Sequence, residues 1–329
     1  MTKTSAARVY RGTPRNLRFL AQQLRRGELV AVPTETVYGL AANAFDAEAC
    51  AKIFRAKGRP ATDPLIVHIH DLAQLSELGV VNDAALKLAD TFWPGPLTMV
   101  LPKKPVVADA ITAGRPSVAI RMPQHRLLRQ LLRLSGVPLA APSANPFGYV
   151  SPTTARHVRD NLGTKIAYIL DGGPAAIGLE STIVDLRNPR APQLLRPGAI
   201  TRDALEQVLG IPVAALKRSS DSHAKSGQLS PGRMKRHYSP KTSVVLHDSL
   251  ADFPRRDEAY VCIRRPAGRL PKNVFWLDSR GNLRAAASRL FAMLRELDAM
   301  GFRRIHVERA RGEGMAEAIN DRLRRASAY

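Results

Sequence analysis

The stretch "VPTETVYGLAANAF", residues 32–45, has the hydrophobic density of buried strands, as does "RAKGRPATDPLIVHI", residues 55–69. Polar groups nonetheless interrupt both stretches, and such groups are costly to bury without partners. They are Thr34, Glu35, Thr36, Tyr38, Lys57, Arg59, Asp63 and His68. The pattern indicates a fold that gathers these groups around a common partner.

Length and composition favour a globular protein of more than one domain. With 329 residues, 45% of them hydrophobic, the chain is long enough for two domains with a core each. No window approaches eighteen apolar residues, and the polar start "MTKTSAARVYRGTPRN" lacks the apolar segment of a secretory signal. We therefore expect a cytoplasmic protein that does not act at a membrane. Its two cysteines, Cys50 and Cys262, predict neither a disulfide framework nor a multi-cysteine zinc site.

The charge of the chain favours anionic partners. Lys and Arg number 50 against 28 Asp and Glu, which gives a formal net charge of +22. Nucleotides, pyrophosphate and RNA, including tRNA, are therefore candidate partners. The excess is spread along the chain and is mostly arginine on helical patterns, so a general arginine bias of the source proteome explains it equally well. The charge constrains the sign of the partner and does not identify it.

Helix and strand patterns alternate through residue 210. In "PRNLRFLAQQLRRGE", residues 14–28, leucines recur at helical spacing, and Gly27 is placed to end that helix before the strand "ELVAVP". Asp46 is placed to cap a second helix that runs through Phe54. Four further helices are predicted, at residues 82–92, 125–135, 153–162 and 201–209.

Short apolar runs between these helices predict strands. They are "PLIVHI", "PLTMVLP", "SVAIRMP", "VPLAAPS", "AYILDGG", "STIVDL" and "PQLLRPG". Helices join some of these strands, and short turns join others. The sequence therefore predicts an α/β fold with a mixed, twisted sheet of parallel and antiparallel strands and flanking helices.

A second, smaller domain follows a polar linker. Residues 217–240, "KRSSDSHAKSGQLSPGRMKRHYSP", have almost no apolar content and are rich in Ser, Gly, Lys and Arg. Three strand patterns, a long helix stopped by Gly301, the strand "RRIHVER" and an amphipathic helix come after it. We expect a catalytic domain at 1–212, a linker at 213–240 and a small Rossmann-like α/β domain at 241–329.

The common phosphate-binding motifs are absent from the sequence. It contains no G-x-x-x-x-G-K-[ST] and no G-x-G-x-x-G that opens a helix, so side chains would have to hold a nucleotide. Lys57 and Arg59 come just past a predicted helix end. In extended backbone, residues two apart project to the same side, so both cations could face one polyphosphate. The alternative is a solvated surface pair.

Four further segments carry polar groups beside apolar strands. The loop "APSANPFGYVSP" carries Ser143, Asn145 and Ser151, whose hydroxyls and amide suit phosphate and ribose oxygens, although local turns are the alternative. Arg121 lies in the apolar strand "VAIRMP" and needs an anionic partner, either a structural carboxylate or that of a small substrate. The other two segments, "GLESTIVDL" and "LLRPGAI", place Glu180, Ser181, Thr182 and Arg196 at strand ends.

Taken together and in order, these segments resemble the YrdC-like threonylcarbamoyl-AMP synthases. They are "PTETVYGL", Lys57-Gly58-Arg59, "PLIVHI", "WPGPLT", "APSANPFG", "ESTIVDL" and "LLRPGAI". The family's K-x-R and S-x-N signatures are met by Lys57 with Arg59 and by Ser143 with Asn145. The linker "SPGRMKRHYSP" and the C-terminal domain resemble the longer, two-domain form of the family.

The resemblance implies a reaction in which L-threonine, bicarbonate and ATP give threonylcarbamoyl-adenylate and pyrophosphate. A partner enzyme would then transfer the threonylcarbamoyl group to the adenosine beside the anticodon of certain tRNAs. Mg²⁺ would enter with ATP as part of the substrate, without protein side chains as metal ligands and without an organic cofactor.

The resemblance also implies roles for individual residues. Lys57 and Arg59 would be catalytic, because they would neutralise pyrophosphate. The threonine site would be formed by Thr34, Thr36, His68, Arg121, Ala141 and Ser181. The ATP site would be formed by Lys57, Arg59, Asp63, Ser117, Ser143, Asn145, Ser151, Arg196 and Tyr238.

The linker is expected to act as a lid. By the resemblance, it would fold across the site with Tyr238 against the nucleotide. One departure from the family pattern is "GRMK", where an Arg precedes the Met that often follows the Gly directly. The C-terminal domain is also short for the family.

Two other functions are alternatives to the synthase activity. A hydrogenase-maturation carbamoyltransferase contains a similar domain, but it also carries zinc-finger cysteines that two cysteines cannot supply. A basic RNA-binding module without adenylating activity would fit the charge of +22. Against it, aromatic residues make up only 5% of the chain and do not interleave with the basic residues as in single-strand binders.

Overall fold

The computed structural model describes residues 6–215 and 237–328, which form a large mixed sheet and a small parallel sheet, both flanked by helices. The strands of the large sheet are β1 Arg8–Arg11, β2 Val30–Val32, β3 Gly39–Asn43, β4 Ile66–His68, β5 Leu97–Pro102, β6 Ser117–Arg121, β7 Leu139–Ala140, β8 Tyr168–Asp171, β9 Thr182–Asp185, β10 Gln193–Arg196 and β11 Ala214–Ala215. Its helices are α1 Pro14–Arg25, α2 Ala47–Lys57, α3 Leu72–Leu78, α4 Asp83–Phe92, α5 Asp109–Thr112, α6 Arg126–Ser135, α7 Ala155–Leu162 and α8 Arg202–Leu209.

The large sheet contains both parallel and antiparallel strand pairs, as the sequence predicts. Its strand order is β1-β8-β2-β3-β7-β4-β6-β5-β9-β10-β11. β4 and β6 pair in parallel, and β5 pairs antiparallel with β6 and parallel with β9. β4 and β6 therefore end at the same edge, where His68 pairs with Arg121 in the register. This edge brings residues from distant parts of the sequence together.

The end of α2 differs from the prediction. Asp46 caps the helix as expected, since its carboxylate accepts a hydrogen bond from the Ala49 amide at 2.9 Å. The helix then continues past Phe54 to Lys57, because buried Ala56 extends its apolar face. Gly58 follows in the left-handed conformation, with φ of 64°. Lys57 and Arg59 therefore do not lie on an extended strand. Lys57 is the last residue of α2, and Arg59 lies in the turn that follows it.

Some elements of this domain are shorter than predicted or were not predicted. The run "VPLAAPS" forms only β7, Leu139–Ala140. Pro138 and Pro142 flank it, and proline has no N–H for a strand ladder. β1 lies in the polar start of the chain, where it pairs in parallel with β8. The short elements α3, α5 and β11 carry too few residues for a periodic pattern.

The C-terminal part of the chain forms a second, wholly parallel sheet. Its strands are β12 Ser243–His247, β13 Ala259–Arg264, β14 Val274–Asp278 and β15 Arg304–Glu308, in the order β12-β15-β13-β14. Its helices are α9 Leu283–Ala299 and α10 Met315–Ala326. This arrangement confirms the prediction of a small α/β domain with helices on a parallel sheet.

The predicted linker lies mostly outside the described residues. Residues 216–236 are not among them, so the expected lid and the domain limits of 212 and 241 stay predictions. The described end of the linker, from His237 to Pro240, is buried. Over the described ranges, no helix is both long enough and apolar enough to cross a membrane.

The apolar core of the C-terminal domain extends into loops of the first domain. Val37, Val150 and Leu179 of the first domain pack in one cluster with Tyr238 and with α9 residues such as Phe291. Gly178 shows how closely the domains approach, because a Cβ there would lie 2.5 Å from the Cα of Ser288 in α9. The C-terminal domain therefore packs directly on the segments that precede Tyr38, Ser151 and Glu180.

We predict that Leu290→Ala lowers the free energy of unfolding by about 2–5 kcal/mol, because removal of a buried leucine leaves a cavity. Leu290 is fully buried in the cluster that contacts both domains. The control is Leu86→Ala in α4, where the leucine is 49% exposed and the loss should stay within about 0.5 kcal/mol. Urea denaturation measures the free energy of unfolding of both variants. Equal losses of stability would contradict the buried position of Leu290.

Candidate active site

A polar cavity opens where several strands of the large sheet end. The space between its lining residues amounts to about 510 Å³, a figure that includes open solvent at the mouth of the cavity. Its walls come from the turn after β2, the ends of β4, β6 and β10, the loop after β7, the segment before β9, and the described end of the linker. The lining residues are Thr34, Thr36, Val37, Gly39, Arg59, Ile66, His68, Arg121, Ala141, Pro142, Ser143, Glu180, Ser181, Arg196, His237 and Tyr238.

Arg121 enters the cavity from the end of β6 and forms a buried ion pair. One of its terminal nitrogens lies 2.6 Å from Glu35 Oε1, and the other donates to Thr36 Oγ1 at 2.9 Å. Burial raises the pKa of Glu35, but the charge and hydrogen bond of Arg121 outweigh it and hold this pKa below its usual value. The structural carboxylate left open by the sequence is therefore present, and it is Glu35.

Thr34 and Thr36 form a tight polar turn beside this ion pair. The Thr34 hydroxyl donates to the Val37 carbonyl at 2.7 Å and accepts from the amides of Thr36 and Val37. Its oxygen also lies 2.7 Å from that of Thr36. This turn satisfies the backbone amides locally, so the chain can present two hydroxyls to the cavity without unpaired groups.

His68 lies at the end of β4 as a neutral imidazole. Burial, with a smaller contribution from the Arg121 charge, lowers the pKa of His68 from 6.5 to about 3. Its Nδ1 is buried and forms no hydrogen bond with any described residue. A neutral histidine with an unpaired nitrogen can accept a hydrogen bond from a ligand.

Arg59 lines the cavity from the turn after α2. Its guanidinium donates to the carbonyls of Asp63 and Pro64 at 3.1 and 2.8 Å, and it lies 2.9 Å from Asp63 Oδ2. Burial raises the pKa of Asp63, and the neighbouring charges of Arg59, Lys57 and Arg196 oppose that rise. The guanidinium is thus fixed in place by its own turn.

Lys57 lies behind the cavity wall and holds the loop after β7. Its Nζ donates to the carbonyls of Ser143 and Asn145, both at 2.5 Å. Burial and the nearby Arg59 charge lower the pKa of Lys57 well below its usual value. The Asn145 side chain donates to the carbonyls of Pro146 and Tyr149, while its buried Oδ1 has no partner among the described residues. Hydrogen bonds from Lys57 and Asn145 therefore fix the conformation of this loop.

Ser181 and Arg196 form the wall opposite this loop. The Ser181 hydroxyl lies 2.7 Å from Thr98 Oγ1, and Arg196 donates to the carbonyl and hydroxyl oxygens of Ser181. Gly198 allows the close approach of these segments, because a Cβ there would lie 2.5 Å from the Thr182 amide nitrogen. The glycine of "LLRPGAI" is therefore required by packing against "ESTIVDL".

Glu180 and Tyr238 lie where the cavity meets the C-terminal domain. Glu180 accepts hydrogen bonds from the Ser151 hydroxyl at 2.5 Å and from Arg322 Nε of α10 at 2.8 Å. Tyr238 has a φ of 61°, an uncommon backbone conformation for a residue with a side chain. Its hydroxyl is buried without a hydrogen-bond partner in the part of the chain described here. Strain and an unpaired hydroxyl together indicate a place where a ligand is expected.

The structure brings most of the predicted site residues to this one cavity. Those that line it are Thr34, Thr36, Arg59, His68, Arg121, Ala141, Ser143, Ser181, Arg196 and Tyr238. Lys57, Asp63, Asn145 and Ser151 lie behind the lining and contact or adjoin residues that form it. Ser117 lies at the start of β6, four residues from Arg121 and about 13 Å away along the strand. It is the one predicted residue that the structure does not connect to the cavity.

Sequence reasoning assigned no role to several residues that build the site. Glu35 and Glu180 stand in the quoted motifs, and the cost of burying a carboxylate could have identified both as partners of arginines. Thr98, which contacts Ser181, and Arg322 gave no such signal, since one lies in an apolar strand pattern and the other in an arginine-rich helix.

Clusters of metal-ligating side chains are absent from the described residues. Across 6–215 and 237–328, no three His, Cys, Asp or Glu side chains are grouped to bind one. Asp63, the carboxylate nearest to Lys57 and Arg59, is paired with Arg59. A magnesium ion usually retains waters and binds through substrate phosphates with only one or two carboxylates, so it needs no cluster of three protein ligands.

Two family models match adjacent parts of the chain. The model described as telomere recombination, of the Sua5, YciO and YrdC proteins, matches residues 22–198. The model described as the C-terminal domain of threonylcarbamoyl-AMP synthase matches residues 200–328.

Characterised relatives resemble the chain over most of its length. The threonylcarbamoyl-AMP synthase of Pyrococcus abyssi is 42% identical and covers 95% of this chain and 94% of its own. The synthase of Bacillus subtilis is 41% identical and covers 93% of this chain and 91% of its own. The crystal structure of P. abyssi Sua5 in complex with L-threonine superposes with a TM-score of 0.88 at 39% identity, covering 98% of this chain and 97% of that one.

We predict that His68 makes the protein less stable in acid. The unfolded chain binds a proton at His68 below about pH 6.5, while the folded protein excludes it until about pH 3. The contribution of His68 to stability is therefore complete above pH 6.5 and is lost as the pH falls through this window. His68→Gln should make the loss less steep by up to about 1.4 kcal/mol per pH unit. Urea denaturation between pH 7 and 4 measures the slopes, and equal slopes would show that His68 titrates normally.

Proposed function

The chain belongs to the threonylcarbamoyl-AMP synthase family in its two-domain form, and on this premise we propose that it is a nucleotidyltransferase that forms threonylcarbamoyl-adenylate. Its substrates are L-threonine, bicarbonate and ATP, and its second product is pyrophosphate. The observation that carries the proposal is the cavity, which combines a polar pocket around Arg121 with the guanidinium groups of Arg59 and Arg196. These two halves suit an amino acid and a polyphosphate.

The half around Arg121 is the proposed threonine site. A guanidinium has five N–H donors, and Arg121 uses three of them on Glu35, Thr36 and Gly95. The remaining donors are available to the substrate carboxylate. His68 Nδ1 is unpaired and neutral, so it can accept a hydrogen bond from the threonine hydroxyl or amine. Thr34, Thr36, Ala141 and Ser181 complete this half.

The other half is the proposed ATP site. Arg59, Arg196 and Ser143 line it, and Tyr238 closes it on the side of the C-terminal domain. Lys57 and Asn145 hold the loop of Ser143. Asp63 fixes Arg59, Ser151 contacts Glu180 of the lining, and Ser117 remains a predicted member of the set.

The proposed reaction needs no covalent nucleophile on the protein. The threonine amine combines with bicarbonate to give a carbamate and water. A carbamate oxygen then attacks the α-phosphorus of ATP in line, and pyrophosphate leaves with its electron pair. The protein contributes by positioning the two substrates and by stabilising charge on the leaving group, directly with Arg59 and through the Ser143 loop with Lys57. Mg²⁺ enters as part of the ATP substrate, and no organic cofactor is invoked.

The wider role follows from the chemistry of the product. A mixed carbamoyl–phosphate anhydride is an activated group donor, so the proposal includes a partner enzyme that transfers the threonylcarbamoyl group to tRNA. We place both steps in the cytoplasm. A binding measurement with tRNA would show whether this chain contacts tRNA directly.

Pyrophosphate release tests the proposal directly. The purified protein should release pyrophosphate from ATP only when threonine and bicarbonate are both present, and it should need no RNA. Omission of each component in turn provides the controls. If RNA binds tightly and pyrophosphate release never depends on threonine, the basic RNA-binding function replaces this one.

We predict that Arg121→Ala weakens threonine binding by about 2–4 kcal/mol, because the substrate carboxylate loses a buried charged partner. Arg133→Ala on the exposed face of α6 removes the same charge away from the cavity and should leave the affinity unchanged. Calorimetry with L-threonine measures both. Unchanged affinity in a folded Arg121→Ala protein would limit Arg121 to its ion pair with Glu35.

We also predict that Lys57→Ala lowers kcat by roughly 10²-fold or more and leaves threonine affinity unchanged. The reason is that Lys57 holds the loop of Ser143, which faces the proposed pyrophosphate. Lys52→Ala is the matched control on the same helix, where the amine pairs with Glu28 at the surface. Steady-state pyrophosphate release measures kcat. A normal turnover number for Lys57→Ala would remove Lys57 from the catalytic set.

A further inference from the structure

One side chain of the C-terminal domain reaches the wall of the cavity. Arg322 of α10 is completely buried, and its guanidinium contacts the first domain at several points. Nε donates to Glu180 Oε2 at 2.8 Å, one terminal nitrogen donates to the Glu180 carbonyl at 3.3 Å, and the other donates to the Pro197 carbonyl at 2.9 Å. Asp321 of the same helix completes the charge balance at 3.0 Å.

These contacts converge on the proposed ATP half of the cavity. Glu180 holds the Ser151 hydroxyl through its other carboxylate oxygen. Pro197 directly follows Arg196, which lines the cavity. The guanidinium carbon of Arg322 also lies 5.5 Å from the centre of the Tyr238 ring, within the range of a cation–π contact. Arg322 thus contacts Glu180, which holds Ser151, and Pro197, which follows Arg196. It also contacts the ring of Tyr238.

The threonine half has no comparable link. Among the described residues, no hydrogen bond or ion pair joins the C-terminal domain to Thr34, Thr36, His68 or Arg121. The polar contacts of Arg121 come from Glu35, Thr36 and Gly95, all in the first domain. The hydrogen bonds and ion pairs of these four residues therefore come from the first domain, and the contact of the C-terminal domain with this half is the apolar packing against Val37.

Further contacts between the domains support the same side of the cavity. The Tyr238 ring stacks on Phe291 of α9, with 5.4 Å between ring centres. Arg295 of α9 donates to the carbonyls of Val150 and Ser151. Gly178, two residues before Glu180, lies against the backbone of Ser288. Within this set, Arg322 is the residue whose charged group pairs with a carboxylate of the cavity lining, that of Glu180.

The chemistry of these contacts is specific to arginine. A guanidinium presents donors in a planar fork, and Arg322 uses it on acceptors from Glu180 and Pro197 at once. An ammonium group could preserve the charge opposite Glu180 but could not reach the same set of acceptors. Without either cation, the buried Glu180 carboxylate would lose its charged partner and the Ser151 contact would lose its anchor.

We propose that Arg322 is a positioning residue through which the C-terminal domain orders the nucleotide half of the site. This inference rests on the proposed function, since it assigns Arg322 to the ATP side of that same cavity. Arg322 acts through Glu180 and Tyr238, and it need not touch the nucleotide. Through Arg322, the C-terminal domain then acts on nucleotide affinity, while the hydrogen bonds that shape the Arg121 side of the cavity come from the first domain.

Calorimetry on the full chain tests the proposal with two probes, L-threonine and the magnesium complex of a non-hydrolysable ATP analogue. Arg322→Ala should weaken analogue binding by about tenfold or more and change threonine affinity less than about twofold. Arg322→Lys should recover part of the lost nucleotide affinity. Asn320→Ala is the matched control on α10, because it removes hydrogen bonds to Ala310 inside the C-terminal domain and none to the cavity. It should bind both probes as the wild type does.

Activity gives the second measurement. Arg322→Ala should raise the KM for ATP at least as much as it lowers kcat, with the KM for threonine nearly unchanged. A merely structural role would reduce both affinities in parallel with thermal stability, and it would do so in Asn320→Ala as well. If Arg322→Ala does not fold, Arg322→Lys decides, because it keeps the buried charge.

The outcomes separate this inference from the proposed function. Equal analogue affinity in the wild type and in folded Arg322 variants overturns the role of Arg322 and leaves the proposed function standing. Weakened analogue binding in a protein that never forms the adenylate supports Arg322 as a positioning residue and overturns the proposed reaction. A wild-type protein that binds no analogue overturns both.

Discussion

Buried arginines that require partners determine the form of this cavity. Arg121, Arg59 and Arg322 each lie beside a buried carboxylate, at 2.6, 2.9 and 2.8 Å. An unpaired charge in such surroundings would cost several kcal/mol, so each carboxylate is a condition for its arginine to be there. Each ion pair fixes the direction of one guanidinium. Those of Arg121 and Arg59 line the cavity as rigid donors, and that of Arg322 holds the cavity wall through Glu180. The cavity is therefore organised for anions before any ligand arrives.

The sequence predicted the fold and the cavity for physical reasons that can be traced to single elements. Apolar runs gave most strands, and Asp46 marked the start of α2 because a capping carboxylate has a recognisable position. The end of the same helix was placed three residues early, because Ala56 carries little hydrophobic signal although it is buried. The backbone conformation predicted for Lys57 was therefore wrong. Lys57 nevertheless lies close to Arg59.

Partners of buried charges were harder to predict than the charges themselves. The position of Arg121 in an apolar strand showed that it needed an anion, but only the folded backbone brings Glu35 within reach. Arg322 resembles every other arginine of a basic amphipathic helix, because nothing in a local pattern reports a contact with Glu180, 142 residues away. Helical and strand periodicities report burial, and they carry no information on long-range pairing.

The central claim is that this cavity joins threonine to ATP through the carbon of bicarbonate, and isotope labelling tests it most directly. The protein is incubated with L-threonine, ATP, Mg²⁺ and ¹³C-bicarbonate, and the nucleotide products are measured by mass spectrometry. The account predicts threonylcarbamoyl-adenylate that carries the heavy carbon, together with pyrophosphate. An unlabelled threonyl-adenylate, or no threonine-dependent nucleotide product at all, would contradict it.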